Sequence, residues 1–145
     1  MLNFDASQTT SFKFWAKGPS DAIVSLVPKT TTISQNEKHF EIVIGASSNR
    51  RAWIWRWGPW SQDKSPQAFG NFLNATEYRP FWMSWANHKI TFGQGQQIGI
   101  DVLSSKDISS YPIETNYLFV KSYGSNTVHF KYGYYDGNFY CRFFW

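Results

Sequence analysis

The chain is poor in cysteine: one residue, Cys141, among 145. No intramolecular disulfide can form and no cysteine zinc site can be built. A buried thiol in the last strand is the ordinary reading of Cys141; an odd cysteine also permits a link between two chains. Leu and Ala are sparse and no segment keeps a helical period, which argues against helices. Apolar runs are short and broken by charge, so nothing in the sequence spans a membrane. The N-terminal stretch MLNFDASQTT has neither the basic nor the apolar region of a secretory leader. A mature secreted form is expected in preference to a cytoplasmic one, and Asn74-Ala75-Thr76, a glycosylation acceptor pattern, adds slightly to that. The net charge of +4 is spread thinly, with only Arg50 and Arg51 adjacent among the basic residues near the tryptophans. A nucleic-acid binder shows a denser stripe, so no nucleic-acid partner is expected.

What the chain has is aromatic side chains, 20% of all residues. Strands favour aromatic and β-branched residues. Alternating runs recur with turn residues between them: Gly18-Pro19-Ser20-Asp21, Ser47-Ser48-Asn49, Asn87-His88, Gly93-Gln94-Gly95, Gly124-Ser125-Asn126 and Asp136-Gly137. About ten short strands at this spacing imply an all-β chain, an antiparallel two-sheet β-sandwich of jelly-roll type, in a single domain over residues 1–145. Pro80 argues that its strand lies at an edge or carries a bulge. Residues 58–76 have no period and read as the longest loop.

The run RRAWIWRWGPW at residues 50–60 holds four of the eight tryptophans. Trp53, Trp55 and Trp57 alternate and share one strand face. Arg56 on the other face needs water, so the alternation rule turns the three tryptophans inward, as core. The other expected core residues are Phe14, Ile42, Ile44, Trp85, Phe92 and Phe119.

Three segments resemble the family named after farnesoic acid O-methyltransferase. They are FKFWAKGPSDAIVSL at residues 12–26, FEIVIGASSNRR at 40–51 and FWMSWANHKITFGQG at 81–95, in the family's order. Residues 117–145 follow it less closely. His88 stands where the family usually has Gly, and Ala46-Ser47-Ser48 replaces its Gly-Gly-Trp; both bear on loop geometry. The resemblance implies a single β-sandwich, and its name implies methyl transfer. Yet a nucleotide methyl donor is usually cradled by a Gly-rich turn between strand and helix, and the sequence has no such unit, so no enzyme is expected. The pattern is also similar to galactose-binding lectins of marine invertebrates.

The three histidines, His39, His88 and His129, lie apart and share no metal-ligand spacing. Sugar recognition needs an aromatic face with fixed polar groups around it. Two loops offer the polar set: Gln35-Asn36-Glu37, and the hairpin tip Asp136-Gly137-Asn138 with Tyr134, Tyr135 and Tyr140 near it. Trp60, beyond the Gly58-Pro59 turn, offers an indole outside the strand. For each loop the plain turn is the commoner case. The expected function is a carbohydrate-binding lectin or module for galactose-type glycans, with Gln35, Asn36, Glu37, Trp60, Asp136 and Asn138 as its contacts. The alternatives are a protein-interaction domain using its aromatic surface, and the methyltransferase of the family's name. No cofactor is required; Ca²⁺ held through Glu37 or Asp136 stays an option. The expected partners are glycans or glycoproteins and a second copy of the chain, in a homodimer that Cys141 could link.

Overall fold

The computed structural model describes residues 2–3, 10–28, 37–59, 62–110 and 117–132. They form two antiparallel sheets packed face to face, and no helix beyond the four-residue turn Ala46–Asn49. The larger sheet runs in the order β1 (Leu2–Asn3), β11 (Tyr117–Ser122), β3 (Ala22–Val27), β4 (His39–Gly45), β5 (Arg51–Trp57), β6 (Asp63–Lys64), with β7 (Ala68–Phe69) also on β5. The smaller runs β10 (Val102–Asp107), β9 (Lys89–Gln94), β8 (Arg79–Ser84), β2 (Ser11–Lys17), β12 (His129–Tyr132). The chain is the all-β sandwich that its alternating runs imply.

One apolar cluster fills the space between the sheets. Leu26, Ile42, Ile44 and Ile54 of the larger sheet meet Phe14, Phe81, Met83 and Phe92 of the smaller. Phe14 stacks on Phe81, with ring centroids 5.7 Å apart. The alternation on β5 runs opposite to expectation. Ala52 and Ile54 join this core, whereas Trp53 and Trp55 belong to a second cluster with Ile23, Val43 and Ala46. The tryptophan face is therefore the outer face of the larger sheet. Arg56 needs no outward face, because it sits near the strand end, where its long stem reaches Asp63 of the paired edge strand at 4.0 Å. Of the other expected core residues, Phe14, Ile42, Ile44 and Phe92 are buried, while Trp85 and Phe119 are half-buried.

Two further expectations are corrected. Pro80 lies in β8, an interior strand between β2 and β9. Pairing with β9 begins at Phe81↔Gln94, so the donor that Pro80 lacks falls beyond the end of that ladder. After Gly93-Gln94-Gly95 the sequence reads as turning straight into a strand over residues 98–103, whereas residues 95–101 form a turn that leads into β10 at Val102. Trp82, on the outer face of the smaller sheet, lies under that turn and donates from Nε1 to the Ile100 carbonyl at 2.9 Å. The Asn87-His88 hairpin turn has both residues at positive φ, 55° and 56°, as a type I′ turn requires.

Candidate functional site

Strand register builds the outer face of the larger sheet as a grid. Lys121 pairs with Ile23, Ile23 with Val43, and Val43 with Trp53. The next row on the same face is Ser25, Glu41 and Trp55, and the last pairs His39 with Trp57. Side chains directly opposite on one face stand roughly 4.5–5.5 Å apart at Cβ. An apolar floor of Ile23, Val43 and Ala46 thus lies beside a wall of three indoles, with one carboxylate between them.

All of these except Ser25 line a trough of about 530 Å³, with Asp21 and Tyr123 also contributing. Trp55 and Trp57 stack at 4.6 Å and 15°, and Trp53 tilts against Trp55 at 6.3 Å and 58°. His39 lies parallel to Trp57 at 6.0 Å. The ammonium of Lys64, on edge strand β6, sits 4.2 Å from the Trp55 ring centroid and 4.7 Å from that of Trp53. Such contacts contribute about 0.5–1 kcal/mol at exposed sites. The indole N–H groups of Trp53 and Trp55 are buried and have no hydrogen-bond acceptor among the described residues.

Glu41 is 5% exposed and gathers donors from four strands, its own included. Trp57 Nε1 donates to Oε2 at 2.9 Å. Lys121 Nζ lies 2.5 Å from Oε1, and Ser25 Oγ donates to the same oxygen at 3.4 Å. His39 Nε2 is 3.6 Å from Oε1, while its Nδ1–H donates to the Glu37 carbonyl at 2.8 Å. Burial pushes the Glu41 carboxyl pKa up. Hydrogen bonds from His39, Lys121 and Trp57, with the Lys121 charge, outweigh it and hold the pKa at about 2. A carboxyl this acidic stays ionised at neutral pH and makes a poor proton shuttle. It is suited to fixed electrostatic and hydrogen-bonding work.

Asp21 and Tyr123 frame one end of the trough. Asp21 has φ 61° and is pinned by Ser20 Oγ at 2.7 Å and Asn126 Nδ2 at 3.1 Å. Its carbonyl accepts from the Tyr123 backbone N–H at 3.2 Å. His39 and Trp57 frame the other end, where the chain enters β4 and leaves β5.

Glu37 is the sequence-predicted contact that the structure places. It is half-buried, and its carbonyl holds His39 of the trough. Gln35, Asn36, Trp60, Asp136, Asn138 and Cys141 lie outside the described residues. The described residues contain no group of three or more His, Cys, Asp or Glu able to hold a metal ion. No helix among them is long and apolar enough to cross a membrane.

Sequence reasoning missed Glu41, Lys121, Ser25 and the outward tryptophans. One signal was present: β3 and β4 are buried at every position, on both faces. The runs AIVSLV and FEIVIG carry apolar residues on both faces, the pattern of a strand covered on both sides.

A family model described as farnesoic acid O-methyl transferase matches residues 2–135. No curated protein and no solved structure matches the chain.

Proposed function

The chain belongs to the farnesoic acid O-methyltransferase family, and from that premise and the geometry above we propose that it is a carbohydrate-binding module. It takes galactose-type glycans in the trough on the outer face of its larger sheet. The observation that carries the reading is the trough itself, an indole wall beside a buried, ionised carboxylate in about 530 Å³. A pyranose has an apolar C–H face and a rim of hydroxyls. Indole covers the first, and fixed donors and acceptors match the second. Galactose, with its axial hydroxyl, presents a continuous C–H patch for such a ring. Lys121, 41% exposed, gives one of its three donors to Glu41 and leaves the others for ligand hydroxyls.

Glu37, whose carbonyl accepts from His39, extends the reading at the His39–Trp57 end; Gln35, Asn36 and Trp60 are proposed contacts from their sequence alone. Asp136 and Asn138 remain proposed contacts on the strength of their sequence. A sugar held by stacking and a few hydrogen bonds binds in the mM to μM range, about −4 to −8 kcal/mol. A homodimer would add avidity of ~10²–10⁴ by presenting two sites.

The test is a glycan array followed by calorimetry on the best glycan, with wild type and Trp57→Ala compared. A protein-interaction role is the second reading. It is favoured by Ile98, Ile100 and Val102, which are 40%, 50% and 52% exposed along one short segment. A blank array with a protein captured through that segment would favour it.

A further inference from the structure

Asn74-Ala75-Thr76 plays no part in the trough. It is the one Asn-X-Ser/Thr triplet in the chain. The structure folds it into an exposed turn between β7 and β8. Asn74 Oδ1 accepts three hydrogen bonds, from Thr76 N at 2.8 Å, Thr76 Oγ1 at 3.0 Å and Glu77 N at 2.9 Å. Ala75, Thr76 and Glu77 are exposed. The Asn74 backbone carbonyl is anchored separately, accepting from Gly18 N at 2.9 Å.

We propose that Asn74 carries an N-linked glycan. With Oδ1 saturated by the turn, the amide nitrogen Nδ2 is the free end of the side chain, and it has no acceptor among the described residues. A glycan on Nδ2 leaves all three hydrogen bonds to Oδ1 in place. The folded chain therefore holds the modified side chain in the geometry of the bare one. The triplet also lies on a surface turn, the setting such a bulky group requires.

The transfer is a substitution at the anomeric carbon of a lipid-linked oligosaccharyl diphosphate. The bond from C1 to Asn74 Nδ2 forms and the bond from C1 to the diphosphate oxygen breaks. Nδ2 loses one proton, and the lipid diphosphate is the leaving group. Thr76 supplies the hydroxyl of the acceptor triplet, so it is a recognition residue and not a point of attachment. The modification places the chain in the secretory compartment.

The test uses the chain isolated from its native source. Trypsin releases Asn74 within the peptide from Ser65 to Lys89, because Pro80 blocks cleavage after Arg79. The expected result is a peptide with added hexose and N-acetylhexosamine mass. An amidase that cleaves the glycan linkage should remove that mass and convert Asn74 to Asp. When the chain is expressed in secreting eukaryotic cells, Thr76→Ala should abolish the mass and Thr76→Ser should retain it. An unmodified Asn74 in the native chain overturns the proposal. So does a glycan that persists at this peptide in Thr76→Ala. The outcome is independent of whether the trough binds sugar, since neither Asn74 nor Thr76 lines it.

Discussion

The indole Nε1 of Trp57 donates to Glu41 Oε2 at 2.9 Å, across the β4–β5 ladder. That bond ties the aromatic wall of the trough to the carboxylate between the strands. A tryptophan that could have served only as packing becomes part of a polar network, together with Lys121, Ser25 and His39.

The first prediction concerns acid. Glu41 titrates at about 2 in the folded chain against 4.5 for the free side chain. As pH falls below about 4.5, the unfolded state takes up the proton before the folded state does. Stability contributed by the ionised carboxylate is therefore present above that pH and is lost as pH falls towards 2. The shift corresponds to about 3 kcal/mol. Denaturant melts across this window should show the loss in wild type and a much smaller one in Glu41→Gln. Identical pH profiles would show that Glu41 is not held in this network.

A second prediction concerns Gly93. A Cβ there would collide with the Trp82 ring and lie 2.6 Å from the Asp101 carbonyl oxygen. The indole is itself fixed by its bond to the Ile100 carbonyl. Gly93→Ala should destabilise the fold by about 1–3 kcal/mol or more, as overpacking does. An unchanged denaturation midpoint would mean that the turn over residues 95–101 does not cover Trp82.

Asn49 gives a third. It sits at φ 66°, where its Oδ1 accepts from Leu73 N at 2.8 Å and its Nδ2 donates to Leu73 O at 2.8 Å. Asn tolerates the left-handed region better than other residues that carry a Cβ. Asn49→Ala removes both bonds and keeps the strained backbone, with an expected loss of about 2–3 kcal/mol. Hydrogen exchange at the Leu73 amide should rise in the variant. Protection equal to wild type would contradict the contact.

The sheets and turns were legible because alternation and turn chemistry are local. FEIVIG and the Asn87-His88 hairpin each announce themselves within a few residues, whereas Gly93 and Gln94, which read as the start of a turn, continue β9. The facing of β5 was not legible, because it depends on what the strand meets. Ala52 and Ile54 face the opposite sheet, and the tryptophans find Ile23 and Val43 on their own sheet. Arg56 escapes to Asp63 at the edge, a partner seven residues along the chain and visible only once β6 pairs with β5. The trough was hidden for the same reason. Glu41 and Lys121 are eighty residues apart in sequence and meet through two strand pairings, neither of which leaves a local mark.

Binding of a galactose-type glycan in the trough, as proposed, is open to calorimetric titration with a galactose-terminated oligosaccharide. Wild type should bind in the mM to μM range. Trp57→Ala removes stacking surface from the wall and should weaken binding by about tenfold or more, about 1.4 kcal/mol. Circular dichroism would confirm that the variant keeps its strands. Trp55→Ala, which leaves the Glu41 bond in place, should weaken binding through the wall alone. Wild-type affinity in both folded variants, or no heat from the wild-type protein with any glycan the array selects, would rule out sugar binding in the trough.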